Sequence, residues 1–174
     1  MQVTICSRAV GRQTDTDSGG SGIAHRSGSR YPHPMNRIPL SEFLHINRVH
    51  DGPMRMEFGE HAYNHIRTAH ASAQYALAEI GTGALLADIY PDHHDRLFAV
   101  LRRGELKYGK AATSDLTALA TLSDEAREKL EADLGRRGRA LVSVDVELRD
   151  TEGSVASTGR FQWYMERSDG RPAS

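Results

Sequence analysis

The sequence predicts an α+β domain in which one long helix lies against one curved antiparallel sheet. Three observations predict it. Residues 64–86 (NHIRTAHASAQYALAEIGTGALL) open on polar groups and continue as a proline-free, alanine-rich helical segment. Stretches with the two-residue period of half-buried strands stand before and after that segment. The last third of the chain alternates through a complete hairpin. One helix and several antiparallel strands bury their apolar faces most simply as two layers.

The chain has 174 residues, enough for one domain with tails and a sizeable core. Its net charge of -1 provides no global field for nucleic acid or an anionic membrane. The single cysteine, Cys6, excludes a disulfide scaffold and a Cys-based zinc site, and fits a reducing compartment. No apolar run approaches the roughly 20 residues needed to span a bilayer. The first residues lack the apolar core of a secretory signal, so a cytoplasmic protein is expected.

Taken in order, residues 11–36 are rich in Ser, Gly, Thr and Asp, and residues 1–36 are expected to be a disordered tail, with Met35 the favoured translation start. The domain itself is expected over residues 38–167, with residues 168–174 fraying. In residues 38–50 (IPLSEFLHINRVH) the apolar positions suit a short helix or turn on the domain edge. Asp51-Gly52-Pro53 is turn chemistry, and residues 54–60 alternate as a half-buried strand.

The central helix is expected over residues 68–86, with Ala73, Leu77, Ile80, Ala84 and Leu85 on one side. About 18 helical residues span ~27 Å, enough to cross a sheet. Gly81 and Gly83 each weaken it by about 1 kcal/mol relative to alanine, which a close backbone contact at that end would explain.

Residues 96–107 read as a strand with a bulge at Arg102-Arg103-Gly104, and residues 112–122 as another strand. Ser123 or Asp124 caps a short helix with Ala126, Leu130 and Leu134 on its apolar face, a Glu125–Lys129 pair, and Gly135 as its stop. Ala140, Val142, Val144, Val146 and Leu148 then share one face of a strand. Residues 150–153 (DTEG) turn the chain, and Phe161, Trp163 and Met165 share a face of the last strand. This helix-wrapping order is the hotdog architecture.

Residues 64–79 resemble the signature of hotdog-fold acyl thioesterases of the phenylacetate-pathway type. That signature is Asn-x-x-Gly-x-x-His-Gly-Gly, followed by a helix with an Asp or Glu nine residues after the His. Here the positions are Asn64, Arg67 for the first glycine, His70, Ala71 and Ser72 for the glycine pair, and Glu79. A closer match is an uncharacterised branch of the same superfamily that has His-Ala-Gly. The pattern VSVDVELRDTEGSVASTGRFQW is similar to the superfamily's last two strands, and the resemblance covers residues 43–166.

The resemblance implies hydrolysis of an acyl-CoA or acyl-carrier thioester at the interface of a homodimer, or of a dimer of dimers, with no cofactor. Glu79 would be general base or nucleophile, His70 would bind the carbonyl or hold the loop, and Asn64 would orient water or substrate. Ala71 and Ser72 would offer backbone N–H groups to the substrate at the helix start, and Arg67 would clamp a carboxylate or phosphate, against the plainer reading of an exposed loop arginine. Nine residues at about 100° each put His70 and Glu79 half a turn apart, so His70 is expected in the entry loop. The glycine replacements favour a second reading, a hotdog protein that binds acyl thioesters without cleaving them. A plain alternative for Glu79 is a solvated or arginine-paired helix carboxylate.

His61 and His65 have a spacing that suits zinc on a helix, but they lie where a strand ends, and with residues 92–95 (DHHD) they are not expected to bind metal. Arg102, Arg103, Lys107, Lys110 and the Arg136, Arg137, Arg139 cluster are candidates for coenzyme A phosphates, against the plainer reading of a solvated face.

Overall fold

A computed structural model describes residues 38–90 and 97–167. The segments expected as tails and the 92–95 segment lie outside the described residues. The elements are α1 (Pro39–Phe43), β1 (Ile46–Arg48), β2 (Met54–Met56), α2 (Ala71–Ile89), β3 (Leu97–Tyr108), β4 (Leu116–Thr121), α3 (Asp124–Arg137), β5 (Arg139–Arg149) and β6 (Val155–Arg167). The strands form one antiparallel sheet in the order β1-β2-β4-β5-β6-β3. Helix α2 contacts every strand from β2 across to β3, which requires the sheet to curl around it. This is the α+β hotdog arrangement.

The wrapping explains the composition of α2. Of the expected apolar side, Ala73, Leu77, Ile80 and Ala84 are buried and Leu85 partly so, but Ala76, Ala78, Gly81, Thr82, Gly83 and Leu86 are buried as well. A helix enclosed on most sides is apolar on most sides. Small residues let it approach the sheet closely. A Cβ added at Gly81 would stand 2.6 Å from the Ala118 Cβ of β4, which is the close contact the glycines suggested. Two buried polar ties fix the helix against β6. The Trp163 indole N–H donates to Thr82 Oγ1 at 3.1 Å, and Ser157 Oγ donates to Gln74 Oε1 at 2.5 Å. Leaving either acceptor unmatched inside the core would cost about 1–3 kcal/mol.

The β5–β6 hairpin forms as its alternation requires. Ala140, Val142, Val144, Val146 and Leu148 are buried, as are Phe161, Trp163 and Met165. The bulge in β3 falls between Leu101 and Arg103. Ser123 caps α3, its Oγ accepting the Ala126 N–H at 3.2 Å.

Several details differ from expectation. β1 is a strand that local pattern did not separate from α1, because three residues carry too little periodicity. β2 ends at Met56, and β4 starts at Leu116 rather than residue 112. α2 starts at Ala71, since residues 64–70 form a hydrogen-bonded loop (below). α3 runs through Gly135 and stops at Gly138, whose φ of 68° is the left-handed conformation glycine adopts without strain. Lys129 bonds Asp133 at 2.7 Å, and Glu125 does not receive it. Among the described residues, no helix is long and apolar enough to cross a membrane.

Candidate active site

The loop before α2 is built by Asn64. Its Oδ1 accepts the N–H groups of Ile66 (3.1 Å) and Thr68 (3.2 Å), and its Nδ2 donates to Thr68 Oγ1 at 2.9 Å. The Asn64 N–H also donates to the Thr68 carbonyl at 2.8 Å. Asn64 therefore spends its amide on the loop itself. The turn places Arg67 at φ 58°, a left-handed conformation, so this position demands a glycine-like backbone although an arginine fills it. The Arg67 guanidinium lies 5.6 Å from the centre of the Tyr63 ring.

The loop is tied to the body from both sides. His70 N–H donates to the Ala62 carbonyl at 2.7 Å, and Ala69 N–H donates to the Ala112 carbonyl at 2.8 Å. Asp115 anchors the approach, accepting the Phe58 N–H at 2.8 Å and the Arg55 guanidinium at 2.6 Å. The Phe58 amide, with Arg55 beside it, holds the Asp115 carboxyl below its ordinary range.

His70 is the N-cap of α2, with extended backbone. Its Nδ1 accepts the Ser72 N–H at 3.1 Å. An accepting Nδ1 is unprotonated, so the neutral ring carries its proton on Nε2. Of the two amides expected at the helix start, Ser72's is thus occupied, while Ala71's N–H has no acceptor among the described residues. The Ala71 carbonyl accepts the Tyr108 hydroxyl at 3.0 Å. Gln74 Nε2 donates to the Ala69 carbonyl at 2.9 Å, so the first helical turn is held by β3, by β6 through Ser157, and by its own cap.

Glu79 lies more than two turns into α2, half-buried. Its carboxylate makes no hydrogen bond or ion pair among the described residues, so the structure does not pair it with an arginine. Burial pushes its pKa above the ordinary glutamate range. One turn earlier on the same face stands Tyr75, whose ring packs at 5.1 Å on Phe161 and whose hydroxyl lies over the β3 backbone at Gly104. Burial raises the Tyr75 phenol pKa, with a further rise from the nearby Glu79 and Tyr108. His70 and Glu79 do not meet within this chain.

Tyr75 and Tyr108 fall outside the set expected from sequence. The four-residue step from Tyr75 to Glu79 is visible in the chain; the arrival of Tyr108 at Ala71 depends on β3 lying beside β6, which no local pattern encodes. Among the described residues β3 is the terminal strand of the sheet and pairs with β6 alone.

The candidate phosphate-binding cations are mostly engaged. Arg103 pairs with Glu105, Lys110 with Asp150 and Arg136 with Asp133, while Arg102 lies 5.2 Å from the centre of the Tyr164 ring. A groove of about 740 Å³ crosses the outer sheet face, lined by Leu119, Asp145, Glu147 and Arg160, on the side away from α2. Its Asp145 is bonded to Arg160 and its Glu147 to Arg149, while Lys107 at its edge has no ion pair among the described residues. Among the described residues, no three His, Cys, Asp or Glu side chains are grouped to hold a metal ion. His61 instead stacks on His45, with ring centres 3.9 Å apart.

Solved structures share this fold. A Pseudomonas aeruginosa protein described as a probable thioesterase is 24% identical, with a TM-score of 0.65 over 75% of this chain and 89% of that one. A Bacillus halodurans protein solved with CoA is 16% identical, with a TM-score of 0.59 over 74% and 76%. A Haemophilus influenzae thioesterase is 18% identical, with a TM-score of 0.58 over 74% and 82%. At these identities the likeness establishes the fold alone. No curated protein matches the sequence. Across residues 44–165 the chain matches the family described as a domain of unknown function, DUF4442, and it belongs to that family.

Proposed function

We propose that the protein is an acyl-CoA thioesterase, working as a homodimer or a dimer of dimers, with Glu79 as its general base. The observation that carries this reading is the half-buried Glu79 carboxylate, with no partner among the described residues and its pKa raised by burial. A carboxylate kept partly dry is a stronger proton acceptor than one in water. It would take a proton from a water molecule as the water oxygen attacks the thioester carbonyl carbon. The free Ala71 N–H would stabilise the oxyanion that forms. The C–S bond then breaks, and the departing thiolate recovers the proton from Glu79, leaving a carboxylic acid and a thiol.

His70 and Asn64 act here by shape. His70 caps the helix that presents Ala71, and Asn64 holds the loop that presents His70. Among the described residues the outer edge of β3, twelve residues long, is unpaired, which supports a second copy at this side of the molecule, since long uncovered edges are normally paired or blocked. Pairing there would bring a partner loop toward Glu79. Support for coenzyme A as the carrier comes from the Bacillus halodurans neighbour solved with CoA.

A second reading, binding without hydrolysis, is favoured by one observation: the Ser72 N–H is turned to His70 and away from any ligand. Incubating the protein with a panel of acyl-CoA thioesters and a thiol reagent separates the two. The thioesterase reading expects thiol release that Glu79→Ala abolishes. Tight thioester binding with no release would establish the second reading, and undiminished release from Glu79→Ala would remove Glu79 from the chemistry. Light scattering on the eluting protein gives the number of copies.

A further inference from the structure

Ala71, Tyr75 and Glu79 follow one another at four-residue steps, which sets them along one face of α2. Long side chains on a helix lean as a rule toward its N-terminus, which directs Tyr75 toward the Ala71 turn and Glu79 toward Tyr75. The free amide, the phenol and the carboxylate therefore form one row.

The position of the phenol is built rather than incidental. Its ring is held on Phe161 at 5.1 Å. Its hydroxyl occupies the space where a side chain at Gly104 would begin, so a Cβ there would collide with it. The bulge at Arg102 falls two residues before that glycine. The hydroxyl makes no hydrogen bond among the described residues. Tyr108, the other phenol nearby, already donates to the Ala71 carbonyl. Carbonyl polarisation works best with two donors, and of the Ala71 and Ser72 amides His70 takes the second.

We propose that the Tyr75 hydroxyl is the second donor to the thioester carbonyl oxygen, acting with the Ala71 N–H in the place the Ser72 amide would have taken. The inference rests on the thioester-site reading above and adds a catalytic residue to it. Burial keeps the phenol protonated across the neutral range, as a donor must be.

The test uses Tyr75→Phe, which keeps the ring on Phe161. With acyl-CoA substrates, kcat is expected to fall about 100-fold while KM stays within about twofold. A parallel measurement needs no turnover. The wild type should bind a ketone analogue of the thioester, with CH2 in place of sulfur, about tenfold more tightly than a thioether analogue lacking the carbonyl oxygen. Tyr75→Phe should lose that preference. A Tyr75→Phe protein that keeps the wild-type kcat, or the wild-type preference for the ketone, overturns the role of Tyr75 and leaves the thioesterase reading standing. A wild type that neither cleaves the thioesters nor binds the ketone analogue overturns both.

Discussion

The Nδ1 of His70 accepts the backbone N–H of Ser72 at 3.1 Å, and this one bond sets the chemistry available at the start of α2. It caps the helix, fixes the neutral tautomer of the ring, and removes one of the two amides that the segment could present to a carbonyl. A helix cap and a substrate-binding amide compete for the same N–H, and in this chain the cap holds it.

The cap is testable as a stability element. His70→Ala leaves the Ser72 amide without its side-chain acceptor and should lower unfolding stability by about 1 kcal/mol. His70→Asn offers an oxygen from a side chain that is itself a good cap and should restore most of the loss. Urea unfolding midpoints of the three proteins measure it. Equal midpoints for wild type and His70→Ala would show that the bond contributes nothing.

Glu79 carries a pH signature whose sign follows from its raised pKa. Folding raises this carboxyl above its unfolded value, so the folded protein binds the proton more readily than the unfolded chain does. Stability from this group therefore increases as pH falls from the raised folded value to the ordinary value of about 4.3, and ionisation works against the fold above that window. Glu79→Gln should melt higher than wild type at neutral pH, and the difference should vanish below about pH 4. In the proposed reaction the base must be ionised, so the acid limb of the wild-type rate profile should lie above the ordinary glutamate range. Melting curves across pH and a pH–rate profile check the two halves separately.

Arg67 sits in a left-handed conformation that an L side chain adopts at a cost of roughly 1–2 kcal/mol. Comparing Arg67→Ala with Arg67→Gly isolates this cost, because both lose the contact with Tyr63. The glycine variant should be the more stable of the pair by about 1 kcal/mol, even though glycine has the more flexible unfolded chain. Thermal denaturation under identical conditions decides it, and an alanine variant as stable as the glycine variant would mean the loop relaxes.

Gly81 and Ala118 should behave as a coupled pair. In isolation, Gly81→Ala would favour the helix by about 1 kcal/mol. Against Ala118 the new methyl has no room, and overpacking of this kind costs about 1–3 kcal/mol. Gly81→Ala should thus be neutral to destabilising, and Gly81→Ala combined with Ala118→Gly should recover more stability than the single effects sum to. A double-mutant cycle from denaturant unfolding measures the coupling.

Much of this molecule is legible in one dimension, where a local period reports which face of an element is apolar. Val142, Val144 and Val146 announce an inward face two residues at a time, and residues 150–153 announce the turn that returns the chain as β6. The Ser123 cap, the apolar face of α3 and the bulge at Arg102 are equally local. Asn64, His70 and Glu79 stand out differently, through the resemblance of their spacing to a thioesterase signature.

The tertiary structure decided what those residues can do. Strand β3 pairs with β6 across the whole of residues 109–154, and that pairing brings Tyr108 to Ala71 and puts Gly104 beneath Tyr75. The curl of the sheet makes α2 buried on most sides, which a one-sided helical pattern does not announce. The division of hydrogen bonds around Asn64 and His70 depends on side-chain directions set by the loop's own closure. Local periodicity specifies an element's faces because burial acts residue by residue. Which distant groups then share a hydrogen bond is settled only when the chain closes on itself.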